Sequence, residues 1–207
     1  DFRRARGKPV GMTDMTFSCA CGTVAGFIAD VGPKQGDYVY CHCTDCQAVP
    51  KLLGAEERVL ERLGGTALYQ TRCARVSFAS GRDKLAGVHM THQPTLRWYA
   101  SCCDTPLFNT YANGKLPYTT ILLANCDKAG RAALGEPRGH LHLADASGET
   151  DDLKPMSMAA LLRSFFKRLV KDIVSGDRRR NPLFDPKTLE PIATPRRLTP
   201  QEREALG

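Results

Sequence analysis

The sequence lacks an apolar run of the length that a membrane-spanning helix requires. It also lacks the apolar segment of a secretory signal peptide, although residues 1–6 carry three arginines. We therefore expect a cytoplasmic protein with no membrane span. Residues 1–15 are expected to be disordered or to derive from cloning, with a start at Met12 or Met15.

A strong charge excess is missing from the central part of the chain. The net charge is +7, which by itself would suit a nucleic-acid partner. Residues 16–150, however, contain thirteen Lys and Arg against twelve Asp and Glu, so the excess lies in the two ends. This distribution argues against a nucleic-acid groove in the central region.

Cysteine, by contrast, is abundant and clustered. The chain has nine cysteines, an odd number that fits a framework of disulfides badly. Residues 41–46 read Cys-His-Cys-Thr-Asp-Cys, a C-x-C-x-x-C spacing that allows three sulfurs to meet at one metal ion. Thiols this close together in a reducing compartment favour metal ligation, and we predict that the metal is zinc.

Two shorter cysteine pairs accompany this motif. Cys19 and Cys21 are followed by Gly22, which suits a tight turn whose amides point back at metal-bound sulfur. Cys102 and Cys103 are adjacent in the chain. With the central motif, they predict one or two zinc ions per chain.

Short segments rich in Val, Ile, Thr, Phe and Tyr occupy much of residues 16–146 and predict a mainly β fold. The predicted strands are residues 16–28, 38–40, 67–79, 85–91, 95–100, 107–111, 119–124 and 140–143. One helix is predicted among them, at residues 55–63, because two glycines close that segment. We predict that residues 16–150 form the zinc-binding domain.

The C-terminal part of the chain changes character. Residues 151–176 are predicted to contain an amphipathic helix at 156–174, because apolar residues recur there at helical spacing. Such a stripe favours docking on the domain or homodimerisation, although the basic opposite face would also suit an anionic membrane or partner. Residues 177–207 are rich in Pro and Arg and are expected to form an extended tail.

The order of these motifs resembles the glutathione-dependent formaldehyde-activating enzyme family, which includes centromere protein V. The resemblance covers residues 16–125 and rests on C-x-C-G, then C-H-C-x-x-C, then an aromatic strand leading to cysteine and Thr-Pro-Leu. It is strongest for a branch of that family with Cys-His-Cys-x-Asp-Cys-Gln-Ala and Arg-Trp-Tyr-Ala-x-Cys-Cys-x-Thr-Pro, here residues 41–48 and 97–106. The resemblance implies a β-tent fold of small antiparallel sheets around zinc, with the predicted helix as a C-terminal extension.

The resemblance also implies a division of labour between the cysteines. Cys19 and Cys21 would bind a structural zinc ion. Cys41, Cys43 and Cys46 would hold a second zinc ion whose free fourth position accepts a small thiol such as glutathione. Alternatively, Cys73, a histidine or a carboxylate closes that position and the site is structural.

The last cysteine motif departs from the common family pattern Cys-x-x-Cys-Gly-Thr. Alignment on Thr105 places Cys103 at the second cysteine, but Ala100 at the first and Asp104 at the glycine. We therefore expect Cys102 and Cys103 to complete the structural site. Cys73 and Cys126 are the alternatives to Cys102.

Two functions from different classes follow. The first is a zinc-dependent carbon–sulfur lyase that acts on thiol adducts of small aldehydes, with Asp45 as the residue that moves the hydroxyl proton. A hydrogen-bonded turn residue is the alternative role of Asp45. The second function is a non-catalytic, zinc-stabilised module that binds a protein or nucleic-acid partner through its basic C-terminal extension. For Arg97 an ordinary surface ion pair is expected, and for Trp98 a place in the core.

Overall fold

The computed structural model describes residues 13–207, and the first of these already belong to the fold. Residues 13–15, which the sequence assigns to the N-terminal segment, begin the first strand, and Met15 is completely buried. That boundary is therefore wrong by three residues. Residues 1–12 lie outside the described residues, so the disorder or cloning origin expected for them stays a prediction.

The described residues form two sheets and several short helices. The strands are β1 (Thr13–Ser18), β2 (Ala25–Val31), β3 (Asp37–Cys41), β4 (Thr66–Thr71), β5 (Val76–Ser80), β6 (Leu85–His89), β7 (Thr95–Ala100), β8 (Thr105–Tyr111), β9 (Thr119–Leu122), β10 (His140–Leu141) and β11 (Arg196–Arg197). The helices are α1 (Thr44–Leu52), α2 (Glu56–Val59), α3 (Lys128–Ala132), α4 (Met158–Val174) and α5 (Pro200–Glu204). None of these helices in residues 13–207 is long and apolar enough to cross a membrane.

The expectation of a mainly β fold is confirmed, but only one of the sheets is small. Strands β1, β2 and β5 form a three-stranded antiparallel sheet. The second sheet has eight strands in the order β10-β3-β4-β9-β8-β7-β6-β11. Its edge strands β10 and β11 pair in parallel with their neighbours, whereas its inner strands are antiparallel. The expectation that all the sheets are small and antiparallel is therefore wrong for this one.

Two of the predicted strands are each divided in the structure. Residues 16–28 contain the antiparallel pair β1 and β2, and the turn between them carries Cys19 and Cys21. Residues 67–79 contain β4 and β5, which belong to different sheets because a 3₁₀ turn at Cys73–Arg75 redirects the chain. Both divisions occur where cysteine-bearing turns interrupt β-forming residues. The alternation of apolar residues alone does not reveal them.

The predicted helix at residues 55–63 is only the single turn α2. The longer α1 begins directly after Cys43 and contains Pro50. This helix escapes prediction because a cysteine motif occupies its start and a proline, which usually ends a helix, lies inside it.

Aromatic side chains join the two sheets. Phe17 of the small sheet packs edge-to-face on Phe78 of its own sheet and on Phe108 of the large sheet, at centroid distances of 5.4 and 5.1 Å. Trp98 is buried, and its indole N–H donates to the Thr110 hydroxyl at 2.9 Å. The predicted core role of Trp98 is confirmed. Both sheets therefore contribute to one shared core.

Helix α4 confirms the predicted amphipathic helix to within two residues of its start. Buried ion pairs anchor it. Arg168 pairs with Asp37 on β3, and Asp172 accepts from Arg72 at 2.5 Å. Phe165 packs edge-to-face on Tyr118, which lies before β9. The docked face is thus partly ionic, and several apolar residues of the predicted stripe point outward instead.

Residues 177–207 do not form the extended tail that their composition predicts. Leu183, Phe184, Leu189 and Leu198 are buried, and β11 extends the large sheet. Helix α5 begins with a capping box formed by Thr199 and Glu202. Apolar side chains spaced between the prolines and arginines supply enough buried surface to hold this segment on the domain.

Candidate metal centres and cavity

Four cysteine sulfurs meet where the two sheets approach each other. The four-thiol cluster consists of Cys19, Cys21, Cys102 and Cys103, whose Sγ atoms all lie within 4.8 Å of one another. The first two residues lie in the β1–β2 turn and the last two in the β7–β8 turn. This set agrees with the predicted structural site. A metal ion here would link the turns of the two sheets.

Local backbone geometry holds the β1–β2 turn in place. Gly22 adopts a left-handed conformation (φ 77°), and its N–H donates to the Cys19 carbonyl at 2.9 Å. The Val24 N–H donates to Cys19 Sγ at 3.2 Å. Hydrogen bonding to Thr23 and Cys102 lowers the pKa of Cys21 to about 6, which makes this thiol a ready metal ligand at neutral pH.

The β7–β8 turn contains a non-glycine residue in the left-handed conformation. Asp104 occupies that position and adopts φ 49°, a conformation that is costly for a residue with a Cβ atom. Its neighbour Cys103 has its Sγ 3.2 Å from the Thr105 hydroxyl. Asp104 therefore completes the turn at a cost in backbone strain.

This strain gives a testable expectation for stability. Replacing Asp104 by Gly should raise the free energy of unfolding by up to about 1 kcal/mol, because glycine adopts positive φ without a Cβ clash. The matched control is Asp104→Ala, which removes the same carboxylate and keeps the Cβ atom. Urea unfolding of the metal-loaded protein measures both. Equal stabilities of the Gly and Ala variants would contradict the role of strain.

The two alternative ligands for this site are excluded by their positions. Cys73 Sγ lies 4.0 Å from the Asp172 carboxylate, beneath α4. Cys126 Sγ lies 3.9 Å from the Leu122 carbonyl. Both are buried, and neither belongs to the four-thiol cluster. Burial raises the pKa of each thiol to about 12, as expected for inert core cysteines.

The central motif forms a second cluster, the three-thiol cluster of Cys41, Cys43 and Cys46. Cys41 ends β3, Cys43 occupies the N-cap position of α1, and Cys46 lies in the first turn of that helix. The Sγ atoms of Cys41 and Cys43 are 3.5 Å apart. The N-terminus of α1, the positive end of the helix dipole, therefore lies at this cluster and favours the thiolate form of Cys43, whose pKa is lowered.

The pKa values of the three thiols are shifted in different directions. Hydrogen bonds with Cys41 and Cys46 lower the pKa of Cys43, whereas the hydrogen bond with Cys43 raises the pKa of Cys41. All three sulfurs lie within 4.8 Å of one another, and no fourth Cys, His, Asp or Glu in residues 13–207 joins them. The cluster therefore offers a metal ion three ligands from the described part of the chain.

A cavity of about 260 Å³ opens onto this cluster. Strands of the large sheet form one wall, and Met158 and Leu161 of α4 form part of the opposite wall. The polar or ionisable residues that line it, besides the cysteines, are Gln70, Thr95, Arg97, Asn109, Tyr118, Thr120 and His142. The three sulfurs thus line a small, partly open cavity together with one buried cation.

Arg97 is that cation, and it does not form the surface ion pair that the sequence analysis favours. It is only 7% exposed. Its Nη1 lies 3.7 Å from Cys46 Sγ and its Nη2 lies 3.9 Å from the Asp45 carboxylate. Burial tends to lower the pKa of Arg97, but the thiols of Cys46 and Cys43 outweigh this and raise it, so the guanidinium stays charged.

Asp45 contacts Arg97 but does not itself line the cavity. Its carboxylate faces Arg97 on one side and Arg203 Nε of α5, at 3.5 Å, on the other. The candidate acid–base residue is therefore placed to hold Arg97 in position. The C-terminal segment reaches this position as well, which the expectation of an extended tail could not foresee.

Tyr118 is the cavity residue that the sequence analysis missed. Burial raises the pKa of its phenol, although Arg97 acts in the opposite direction. Its ring is held between Tyr111 and Phe165 at centroid distances of 5.4 and 5.9 Å. A single tyrosine beside Pro117 carries no motif, so only the folded chain reveals its position.

The histidines near the motif behave differently from one another. His42 is fully buried, and its Nε2 lies 3.0 Å from His140 Nδ1, so it belongs to a packing and hydrogen-bond network outside the three-thiol cluster. His140 and His142 do not share a strand face, because β10 ends at Leu141 and His142 adopts φ 56°. His142 instead lines the cavity.

The fold and the two cysteine clusters define a mainly β protein with two candidate metal centres. Comparison with protein families places it further: the chain belongs to the family of unknown function DUF6151, whose model matches residues 12–194. That match extends across α4 and into the C-terminal segment, and it includes both cysteine clusters. No curated protein matches the chain.

Proposed function

We propose that the protein is a zinc-dependent carbon–sulfur lyase that acts on thiol adducts of small aldehydes. The observation that carries this proposal is the three-thiol cluster, which faces a cavity beside a buried arginine without a fourth protein ligand among the described residues. The four-thiol cluster is proposed as the structural zinc site. A β-tent arrangement is proposed for the two sheets, supported by the way their turns meet at that cluster.

Sulfur spacing supports zinc at both sites. Thiolates about 2.3 Å from a tetrahedral zinc ion lie about 3.8 Å apart. In the four-thiol cluster the Cys21–Cys102, Cys19–Cys21 and Cys19–Cys102 distances are 3.4, 3.5 and 3.9 Å. The Cys41–Cys43 distance is 3.5 Å. Small shifts of the side chains would bring either set onto a zinc ion.

The donor set at the three-thiol cluster suits thiol chemistry better than water activation. When bound, zinc would lower the pKa of a substrate thiol and hold it as a thiolate. With zinc bound, three thiolates would give the unit a formal charge of −1, so the ion would be a weaker Lewis acid than in a site of neutral histidines. The Arg97 guanidinium, whose Nη1 lies 3.7 Å from Cys46 Sγ, would offset this charge.

The residues around the cavity suit the remaining steps of a reversible addition. The thiolate sulfur attacks the aldehyde carbon, a carbon–sulfur bond forms, and the carbonyl electron pair moves to oxygen. Tyr118, which its raised pKa keeps protonated, gives that oxygen a proton, and Arg97 stabilises the developing negative charge. The thiol proton released on binding restores Tyr118. In the lyase direction the same steps run backwards and release aldehyde and thiol.

The second candidate function is a zinc-stabilised module that binds a partner through the basic residues of its C-terminal segment. Several of its arginines already have partners within the chain. Arg196 pairs with Glu202, Arg203 with Asp45, and Arg179 donates to the Pro186 carbonyl at 2.7 Å. Fewer cations are therefore free to hold an acidic partner than the composition suggests, which favours the enzyme.

Replacement of Tyr118 by Phe tests the enzyme. The rate of formaldehyde release from the glutathione–formaldehyde adduct should fall by about 10²–10⁴-fold, because the proton donor is lost. Zinc content and thiol binding should be unchanged. Tyr111→Phe is the matched control, since its ring packs against Tyr118 and it does not line the cavity. Equal activity of wild type and Tyr118→Phe would remove Tyr118 from the mechanism.

A further inference from the structure

Helix α4 has an outward apolar face in addition to its docked face. The exposed stripe consists of Leu162, Phe166, Val170 and Ile173, and its members are 45–58% exposed. Val174 beside it is 82% exposed. Large apolar side chains grouped in this way on a surface helix usually mark an interaction site.

The exposed stripe is not needed to hold the helix on the domain. Anchoring falls to the opposite side of α4, where Arg168 pairs with Asp37 and Asp172 with Arg72. Phe165 also packs there, against Tyr118. At about 100° per residue, the four residues of the stripe span roughly 80° of the helix surface, and the nearest anchor, Phe165, lies about 60° from Leu162. The Phe165 ring also packs on Phe166, at a centroid distance of 5.6 Å. The stripe is therefore available to a partner.

The charged residues beside the exposed stripe indicate what kind of partner would bind it. Arg163, Lys167 and Lys171 are exposed along one edge of the stripe and form its basic flank. The only acidic residue of α4 is Asp172, which is buried and paired with Arg72. The outward surface of the helix is thus apolar and positively charged, with no negative charge of its own.

These properties fit an anionic lipid surface better than a second copy of the chain. An antiparallel two-fold contact through Phe166 would bring the basic flanks of the two helices together, without an acidic residue on either helix to offset them. At a bilayer, the basic flank contacts lipid phosphates while the exposed stripe enters the boundary with the acyl chains. Seventeen residues span about 25 Å, enough to lie along the surface.

We propose that α4 docks the protein on an anionic membrane surface through the exposed stripe and the basic flank. The proposal is independent of the lyase activity. It predicts that the full zinc-loaded chain sediments with vesicles of phosphatidylcholine and phosphatidylserine, and far less with phosphatidylcholine alone. It also predicts that binding weakens as salt concentration rises.

Two variants and one control test the surface. Leu162→Ser with Phe166→Ser should abolish sedimentation, and Lys167→Gln with Lys171→Gln should weaken binding by about 30-fold, as expected for two basic residues at an anionic surface. Phe27→Ser is the control, because Phe27 is an exposed apolar residue of the small sheet. Zinc content and circular dichroism show whether each variant is folded, and the lysine variant alters only exposed side chains.

The outcomes separate the possible occupants of the surface. Binding to anionic vesicles that both double variants reduce and Phe27→Ser does not would support the proposal. Equal binding to neutral vesicles, or binding that survives both double variants, would overturn it. No vesicle binding, together with a dimer in analytical ultracentrifugation that the stripe variant dissociates, would also overturn it and assign the stripe to a second copy.

Discussion

Replacing Cys21 by Ser is expected to unfold the protein, although Cys21 is an exposed residue. Surface substitutions usually change stability by no more than about 0.5 kcal/mol. A structural zinc ion, in contrast, can contribute on the order of 10 kcal/mol to folding, comparable with the whole stability of a domain. The four-thiol cluster joins the turns of the two sheets, so its loss should separate them.

Circular dichroism and zinc analysis of purified Cys21→Ser measure this effect. Cys126→Ala is the matched control, because Cys126 is a buried cysteine outside both clusters. It should cost some packing energy but leave the zinc content at the wild-type value. A Cys21→Ser protein that is as stable and as fully metallated as wild type would contradict the structural role of the cluster.

Replacing Cys43 by Ser should remove one zinc ion and all lyase activity while the fold persists. Cys43 is the N-cap of α1, and serine is a good N-cap residue, so the helix should still begin at the same place. The remaining sulfurs, Cys41 and Cys46, would hold zinc much more weakly. We expect zinc to fall from two equivalents to one, with a change in thermal midpoint of only a few degrees.

Elemental analysis and thermal unfolding distinguish this outcome from that of Cys21→Ser. Two equivalents of zinc in Cys43→Ser would show that the three-thiol cluster is not a site. Unfolding as complete as in Cys21→Ser would show that both clusters are structural. Together the two variants therefore test the division of labour between the clusters.

The sequence predicts the metal ligands better than their surroundings. Cysteine spacing and a resemblance predict all seven residues of the two clusters, including Cys102. Local turns bring together the thiols of residues 41–46 and those within each shorter pair. Cys19 and Cys21 meet Cys102 and Cys103 only through the tertiary fold, and this meeting is predicted from the resemblance rather than from spacing. Arg97 and Tyr118 come from β7 and the segment before β9, and only the pairing of distant strands brings them to the cavity.

For the C-terminal segment, residues 177–207, the composition predicts the wrong structure. Proline and arginine dominate its composition and suggest an extended chain, yet a few spaced residues such as Phe184 and Leu198 bury completely or nearly so. The overall composition does not show where these apolar residues lie, whereas the packing of the segment depends on their individual positions. Because these apolar residues hold the segment on the domain, Arg203 contacts Asp45. No local sequence pattern predicts that contact.

Thiol titration of cobalt-substituted protein would reveal whether the three-thiol cluster has the proposed open metal position. Glutathione and 2-mercaptoethanol should each bind in a 1:1 ratio and strengthen the sulfur-to-cobalt charge-transfer band. In Cys43→Ser this response should be absent. Subtracting the spectrum of Cys43→Ser from that of wild type removes the contribution of the four-thiol cluster. If this difference spectrum already shows four protein ligands before any thiol is added, and millimolar thiol leaves it unchanged, the fourth position is closed.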